Sequence, residues 1–157
     1  MDTPAEITLY LAVVTTAVVA GGQIFCRLAV IPAFGDWSPK FGVSVHQHAL
    51  TERPHRYLRV VSAISVLTAL ATIAIEHSTD GPVVLTAIGL AMAVFSSVYS
   101  QREWPINDEI NSFGDTPSDE QVSRYTELRR LWDAQHTIRT AATVLALLLY
   151  VAAATFF

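Results

Sequence analysis

Two sets of polar and aromatic side chains are spaced so that each set lies along one side of a helix. They are Trp104, Asn107 and Asn111 at i, i+3 and i+7, and Trp132, His136 and Arg139 at i, i+4 and i+7. The imidazole is the only side chain among them with a near-neutral unperturbed pKa, so it can move a proton. The guanidinium and amide groups can stabilise an anion, and the indole rings can stack on a flat ligand. If the two helices pair as a hairpin, these groups surround one common space.

Histidines form a third set of candidate residues. His46 and His48 make an H-x-H pair, His55 follows seven residues later, and His136 enters from another helix. If these four imidazoles converge, they could bind copper, iron or zinc, with a carboxylate such as Glu103 completing the shell. The protein would then be a copper- or iron-dependent membrane oxidase. Residues at i and i+2 point about 200° apart on an ideal helix, so the pair can chelate one ion only in an extended or irregular segment. The alternative is that they are solvated loop histidines.

The distribution of charge indicates which elements carry these residues. All ten Lys and Arg fall within Arg27 to Arg59 or Arg102 to Arg139, and long apolar runs separate these windows. Each run approaches the roughly 20 residues that a bilayer core requires. The predicted spans are about 7–30, 57–75, 82–99 and 137–157 of a single membrane domain, residues 1–157. Because cytoplasmic loops collect Lys and Arg, the first and third connections should be cytoplasmic and both termini outside.

The pattern predicts an all-α fold, an integral membrane four-helix bundle with up-down-up-down topology in the cell membrane. The first connection, roughly 32–56, is rich in turn residues. The third connection looks largely helical, with Thr116 as N-cap and Pro117 as the first helical residue of the last helix. That helix could run about 40 residues, roughly 60 Å, which exceeds a membrane. Helices three and four are therefore expected to extend into the cytoplasm.

Composition excludes several classes of function. No basic stripe of the kind that binds nucleic acid is present. The single cysteine, Cys26, rules out an intramolecular disulfide framework. The spans contain no midplane carboxylate of the kind that transporters use. The lipid bilayer is an expected partner, and a homo-oligomer is compatible with so small a bundle although nothing in the sequence specifies one.

The polar motif resembles a known family. The run Trp104-Pro105-Ile106-Asn107-Asp108-Glu109-Ile110-Asn111, followed by Trp132 to Arg139 entering the last span, is similar to the P-I-N-x-x-(I/L)-N and W-x-x-x-H-x-x-R pattern of the anthrone oxygenase-like family of small four-span proteins. The resemblance implies a membrane-bound oxidoreductase that oxidises a lipophilic, anthrone-like aromatic substrate with dioxygen. The histidines of the first connection are not part of that pattern.

The residues of the motif fit this chemistry. Oxidation of an anthrone requires removal of an acidic C–H proton, for which His136 would be the general base. Arg139 would stabilise the enolate charge, and Asn107 and Asn111 would donate hydrogen bonds to it. Trp104 and Trp132 would bind the flat substrate by stacking. This base mechanism requires no cofactor.

Each residue also has a structural interpretation, which the sequence leaves open. The tryptophans can be interfacial anchors, Arg139 can extend to the headgroups, and the asparagines can hydrogen-bond across helices. His136 can be a structural partner of Glu103 or Asp133. A non-enzymatic membrane subunit or scaffold is a further alternative, because charged residues alternate along the last helix from Asp119 to Asp133.

Overall fold

A computed structural model describes residues 3–50, 53–77 and 79–156, and the regular secondary structure of these residues is helical, with no strand. The α-helices are α1 Pro4–Phe25, α2 Ile31–Asp36, α3 Pro39–Val45, α4 Arg53–Glu76, α5 Gly81–Tyr99, α6 Trp104–Asn111 and α7 Asp119–Phe156. Two π-helical turns, Cys26–Val30 and His46–Leu50, and one 3₁₀ turn, Ser100–Glu103, connect some of these helices. The all-α prediction is confirmed for these residues.

Four continuous helical stretches are long and apolar enough to cross a membrane. We call them the first to fourth spans: Pro4–Phe34, Arg56–Glu76, Gly81–Asn111 and Asp119–Phe156. Large apolar side chains on their outer faces are exposed, for example Leu28 at 73%, Leu67 at 65% and Leu148 at 60%. Water would penalise such exposure, whereas lipid tails would not. These features indicate a membrane protein.

Each span packs against two others: the first and the third both contact the second and the fourth. Hydroxyl groups join the spans in pairs within the bundle. The pairs are Thr8 with Thr72 at 2.9 Å, Thr16 with Ser65 at 2.5 Å, and Ser96 with Thr143 at 2.7 Å. Such hydrogen bonds satisfy hydroxyls that lipid cannot, and they set the relative positions of the helices.

A small apolar core fills the bundle at the end where α1 begins and α7 ends. Its buried members are Leu9, Ala12, Ala69, Tyr150 and Ala153. Gly89 of α5 allows the ring of Tyr150 to approach closely, since a Cβ on Gly89 would lie 2.7 Å from Cε1 of that ring. Small residues thus permit close helix contacts between the third and fourth spans.

A second apolar core lies at the other end of the bundle, where the connections pack on α7. It comprises Ile31, Val43, Ile106, Ile110, Phe113, Tyr125, Leu128 and Trp132. The first connection is largely helical here rather than a series of turns. Its prolines occupy helix starts, as in α3, where Ser38 Oγ accepts a hydrogen bond from Phe41 N and Pro39 begins the helix.

The last helix begins two residues later than the sequence predicts. Ser118 is its cap: Ser118 Oγ accepts from Gln121 N at 3.2 Å, and Gln121 Oε1 accepts from Ser118 N at 2.8 Å. This reciprocal pair satisfies two backbone donors, which a cap at Thr116 would not do. With 38 residues, α7 is close to its predicted length. At 1.5 Å per residue it extends about 57 Å, nearly twice a hydrocarbon core of about 30 Å.

Candidate functional site

Arg139 is the centre of a buried polar cluster, which we define as Gln23, Glu103, His136 and Arg139. Its Nη1 donates to Glu103 Oε2 at 2.8 Å, and its Nη2 donates to His136 Nδ1 at 2.8 Å. Glu103 is fully buried and Arg139 is 8% exposed. His136 and Arg139 are neighbours because residues at i and i+3 share a helix face. Glu103 reaches them from the 3₁₀ turn that precedes Pro105 in the third span.

The hydrogen bonds assign the tautomer of His136. A guanidinium group only donates, so His136 Nδ1 must accept the bond from Arg139. The proton of the ring therefore lies on Nε2, which donates to the backbone oxygen of Gln23 at 3.1 Å. This arrangement links the first, third and fourth spans through one imidazole and one guanidinium.

Trp132 lies between two histidines. Its ring stacks on His136 at 4.9 Å with planes 12° apart, and His46 approaches its ring edge to face at 5.4 Å and 72°. His46 Nε2 donates to Asn107 Oδ1 at 3.0 Å. Burial lowers the pKa of His46, the hydrogen bond to Asn107 opposes that shift, and the charge of Arg129 adds to it. Burial in the second core therefore disfavours the charged form of His46.

The structure thus buries four of the six motif residues and leaves the other two exposed. The buried residues are Asn107 and Trp132, which contact His46, and His136 and Arg139, which belong to the polar cluster. Asn111 is exposed on α6, whose buried residues are Ile106, Asn107 and Ile110. Trp104 is 43% exposed and lines a cavity that adjoins Arg139.

Arg139 and Trp132 are buried inside the protein and do not lie at its surface. Arg139 does not extend to the headgroups, since it is buried and paired with Glu103. Trp132 is 3% exposed and packs inside the second core rather than at the surface. Asn107 does hydrogen-bond across elements, to His46. Arg139 contacts both His136 and Glu103.

The predicted metal-binding histidines do not form one group in the described residues. His46 is buried, whereas His48 is exposed and donates from Nδ1 to Ser44 O at 2.8 Å. The segment is helical, so its i and i+2 side chains diverge. The side chain of His55 lies outside the described residues. No three His, Cys, Asp or Glu side chains among those described are placed to hold an ion together.

The charged face of α7 is largely engaged within the chain. Arg124 pairs with Glu109 at 2.7 Å and with Glu127 at 3.0 Å. Arg129 Nη2 donates to the backbone oxygen of Ile31 at 2.6 Å, and its guanidinium lies 4.3 Å from the ring centre of Phe34. Several of the charges that suggested a partner-binding surface therefore hold the connections against α7.

A cavity of about 380 Å³ lies among the four spans beside the polar cluster. Its polar lining residues are Gln23, Arg59, Ser62, Ser96, Ser97, Ser100, Gln101 and Arg139. Among the described residues the lining includes no Asp or Glu. The guanidinium of Arg59 lies 5.0 Å from the ring centre of Trp104 at the cavity wall. The size falls within the range of small-molecule sites, about 300–1,000 Å³.

Buried atoms without a hydrogen-bond partner accompany this cavity. They include Gln23 Oε1 and Arg139 Nε, which belong to lining residues, and Glu103 Oε1 behind them. Buried polar atoms normally find partners, so such a set marks a place where a ligand or water completes the hydrogen bonds. The cavity therefore has the properties of a binding site with a polar end.

Sequence reasoning missed the residues that build the cavity. Arg59, Ser97 and Ser100 were not candidates, and Glu103 was considered only as a partner for histidine or a metal. The available signal was a polar residue one turn before a motif residue, as Glu103 is before Asn107. The serines within apolar runs carried a weaker signal, since such residues also serve helix packing.

The fold and the site define a helical membrane protein with four spans, whose connections cap a buried glutamate–arginine–histidine cluster next to a cavity. Comparison of the chain with family models, with curated proteins and with solved structures gave no match.

Proposed function

We propose that this chain is a membrane-bound oxidoreductase of the anthrone oxygenase-like kind, which oxidises a lipophilic aromatic substrate with dioxygen in the cavity beside Arg139. One observation carries the proposal. Arg139 is a buried cation that lines the cavity, and its Nε has no hydrogen-bond partner. A preorganised cation in a site of low dielectric constant favours a substrate that becomes an anion during reaction.

The proposed chemistry uses the acidity of an anthrone. Loss of one ring CH₂ proton gives an enolate, whose oxygen Arg139 stabilises. The enolate carbon then combines with dioxygen to form a hydroperoxide after proton return, and loss of water converts it to a carbonyl. One dioxygen thus supplies one oxygen atom to the quinone and one to water, so atoms and electrons balance without a further oxidant.

His136 is the proposed base, acting from behind Arg139. In the structure its Nδ1 lone pair accepts a hydrogen bond from Arg139 and is not presented to the cavity. When Arg139 turns toward a developing enolate, that bond opens and the lone pair can receive the proton. Glu103 keeps its hydrogen bond to Nη1 of Arg139 during this change, so we describe Glu103 as a positioning residue.

Trp104 is the proposed aromatic platform of the cavity, since its ring lies at the wall and is partly exposed. Trp132 supports His136 through the stacked contact at 4.9 Å and has no place for a substrate on that face. Asn107 and Asn111, which the motif assigned to the oxyanion, do not line the cavity. We therefore restrict direct substrate contacts to Arg139 and Trp104 within the motif.

We further propose an up-down-up-down bundle in the cell membrane, with both termini outside and the third and fourth spans extended into the cytoplasm. The concentration of Lys and Arg in the first and third connections supports this orientation. Thr8 pairs with Thr72 and Thr16 pairs with Ser65, so the residue number rises along the first span while it falls along the second. Antiparallel neighbours pair in this way. A lipophilic substrate would enter from the bilayer. A reporter fused to the C-terminus should be found outside.

The test is oxygen consumption by purified protein in nanodiscs supplied with a dihydroxyanthrone. Wild-type protein should consume oxygen and form the anthraquinone in equal amounts, above the spontaneous oxidation in empty nanodiscs. Arg139→Gln should lose this activity, whereas Arg130→Gln, an exposed arginine on the same helix, should retain it. Thermal unfolding of each variant separates loss of activity from loss of fold. A wild-type rate equal to that of empty nanodiscs would refute the proposal.

A further inference from the structure

We infer that the cavity selects an anionic aromatic ligand, of the aromatic carboxylate class, whose charge lies between Arg59 and Arg139 and whose ring lies beside Trp104. The inference depends on the cavity of the proposed function and adds the charge of the molecule that it binds. It rests on the residues that line the cavity and on the partners that those residues already have.

The described residues that line the cavity carry only positive charges. Arg59 and Arg139 are both lining residues, and no carboxylate in the described part of the chain lines the cavity with them. Glu103 balances Arg139 from behind. Arg59 forms no ion pair with any described residue, so the described residues that line the cavity keep a net positive charge. A cavity with this charge attracts anions and stabilises them where water is scarce.

The unpartnered atoms indicate which groups a ligand would present to the cavity wall. Arg139 is more than nine-tenths buried and its Nε–H lacks an acceptor, although its two terminal nitrogens are both engaged. An anionic oxygen would supply the missing acceptor through a charge-assisted hydrogen bond. Gln23 Oε1, the unpartnered acceptor nearby in the lining, requires a donor instead, such as water or a hydroxyl on the ligand.

The aromatic part of the ligand follows from Trp104. The guanidinium of Arg59 lies over the Trp104 ring at 5.0 Å, so the cation and the indole form one wall. A flat ring that carries a carboxylate can contact the indole while its charge reaches Arg59. A simple inorganic anion would use the charge but not this wall, and a neutral hydrocarbon would use the wall but leave the charge unpaired.

The experiment compares anthracene carboxylate with its methyl ester, which keeps the ring but removes the charge. Binding is measured by titration calorimetry on the full chain in phosphatidylcholine nanodiscs, with empty nanodiscs subtracted to remove partition into lipid. We expect the carboxylate to bind about tenfold tighter than the ester, the effect of one charge-assisted hydrogen bond. Arg59→Gln should reduce this preference, Arg59→Lys should keep most of it, and Arg130→Gln should leave it unchanged.

The outcomes separate this inference from the proposed function. Equal affinities for the two compounds, with normal oxidation of the anthrone, would overturn the charge selectivity and leave the oxidation intact. A preference that Arg59→Gln leaves unchanged would show that Arg59 does not hold the anion and would also overturn the inference. If neither compound binds, the inference fails, and the oxygen-consumption assay then decides whether the cavity is the site of the proposed oxidation.

Discussion

Arg139 Nη2 donates a 2.8 Å hydrogen bond to Nδ1 of His136, one helical turn earlier in the fourth span. This contact makes the imidazole and the guanidinium one unit. Because Glu103 binds the other terminal nitrogen of Arg139, the orientation of the proposed base also depends on this carboxylate. The predictions below follow from this unit and from its supports.

His136→Gln should separate the base role of His136 from its structural role. The glutamine side-chain oxygen can accept the hydrogen bond from Arg139, so the melting temperature should stay near that of the wild type. Glutamine cannot take up a proton, and turnover should fall by about 10²–10⁴-fold. His136→Ala should also abolish turnover. Oxygen-consumption rates and thermal unfolding in nanodiscs measure both effects, and an active His136→Gln protein would remove His136 as the base.

Glu103→Gln should destabilise the protein strongly. The substitution leaves Arg139 buried without a counterion, which costs about 3–5 kcal/mol in comparable buried pairs. The double variant Glu103→Gln/Arg139→Gln should be more stable than the sum of the single variants indicates, because it removes both charges. Equilibrium unfolding in mixed detergent micelles measures this coupling. Glu109→Gln, at an exposed ion pair with Arg124, is the control and should leave the melting temperature unchanged.

Acidification should destabilise the protein through His46. Burial lowers the pKa of His46, so the folded state binds fewer protons than the unfolded state at this position. Stability is therefore lost as the pH falls through about 6.5, the unfolded-state value. In His46→Gln the melting temperature should depend less on pH between about 8 and 5. His48→Gln, at an exposed position, should match the wild type; a matching slope for His46→Gln would contradict the assignment.

Substitution of Trp132 should mainly lower stability, whereas substitution of Trp104 should mainly weaken ligand binding. Trp132→Ala empties the space between His46 and His136 in the second core and should cost about 3–5 kcal/mol. Trp104→Ala, at a partly exposed position, should cost about 1 kcal/mol or less but should weaken binding of the aromatic ligand. Thermal unfolding and calorimetric titration of both variants test this contrast. Equal losses of stability would show that Trp104 is also a core residue.

Gly89→Ala should disturb the packing between the third and fourth spans. The added Cβ would lie 2.7 Å and 2.9 Å from two carbons of the buried Tyr150 ring, which has no room to move. Overpacking of this kind costs about 1–3 kcal/mol. Gly21→Ala is the matched control, because no atom lies within 4 Å of its added Cβ. Its melting temperature should be unchanged or slightly higher, since alanine is the better helix former.

The sequence alone determined the elements of this protein. Apolar composition is a local property, so the presence of four long apolar helices could be predicted from the lengths of the runs. The absence of Gly and Pro after Pro117 predicted the length of α7, and helical periodicity placed Trp132, His136 and Arg139 on one side of it. The helical first connection was harder to predict, because prolines at helix starts resemble prolines in turns.

Only the tertiary structure decided which faces meet. Arg139 and Glu103 are 36 residues apart, His46 and Asn107 are 61 apart, and His136 and Gln23 are 113 apart. Periodicity states which side of a helix is polar, but the rotation and pairing of the helices depend on packing summed over the whole bundle. For the same reason the cavity, which residues of all four spans line together, has no counterpart in any single stretch of the sequence.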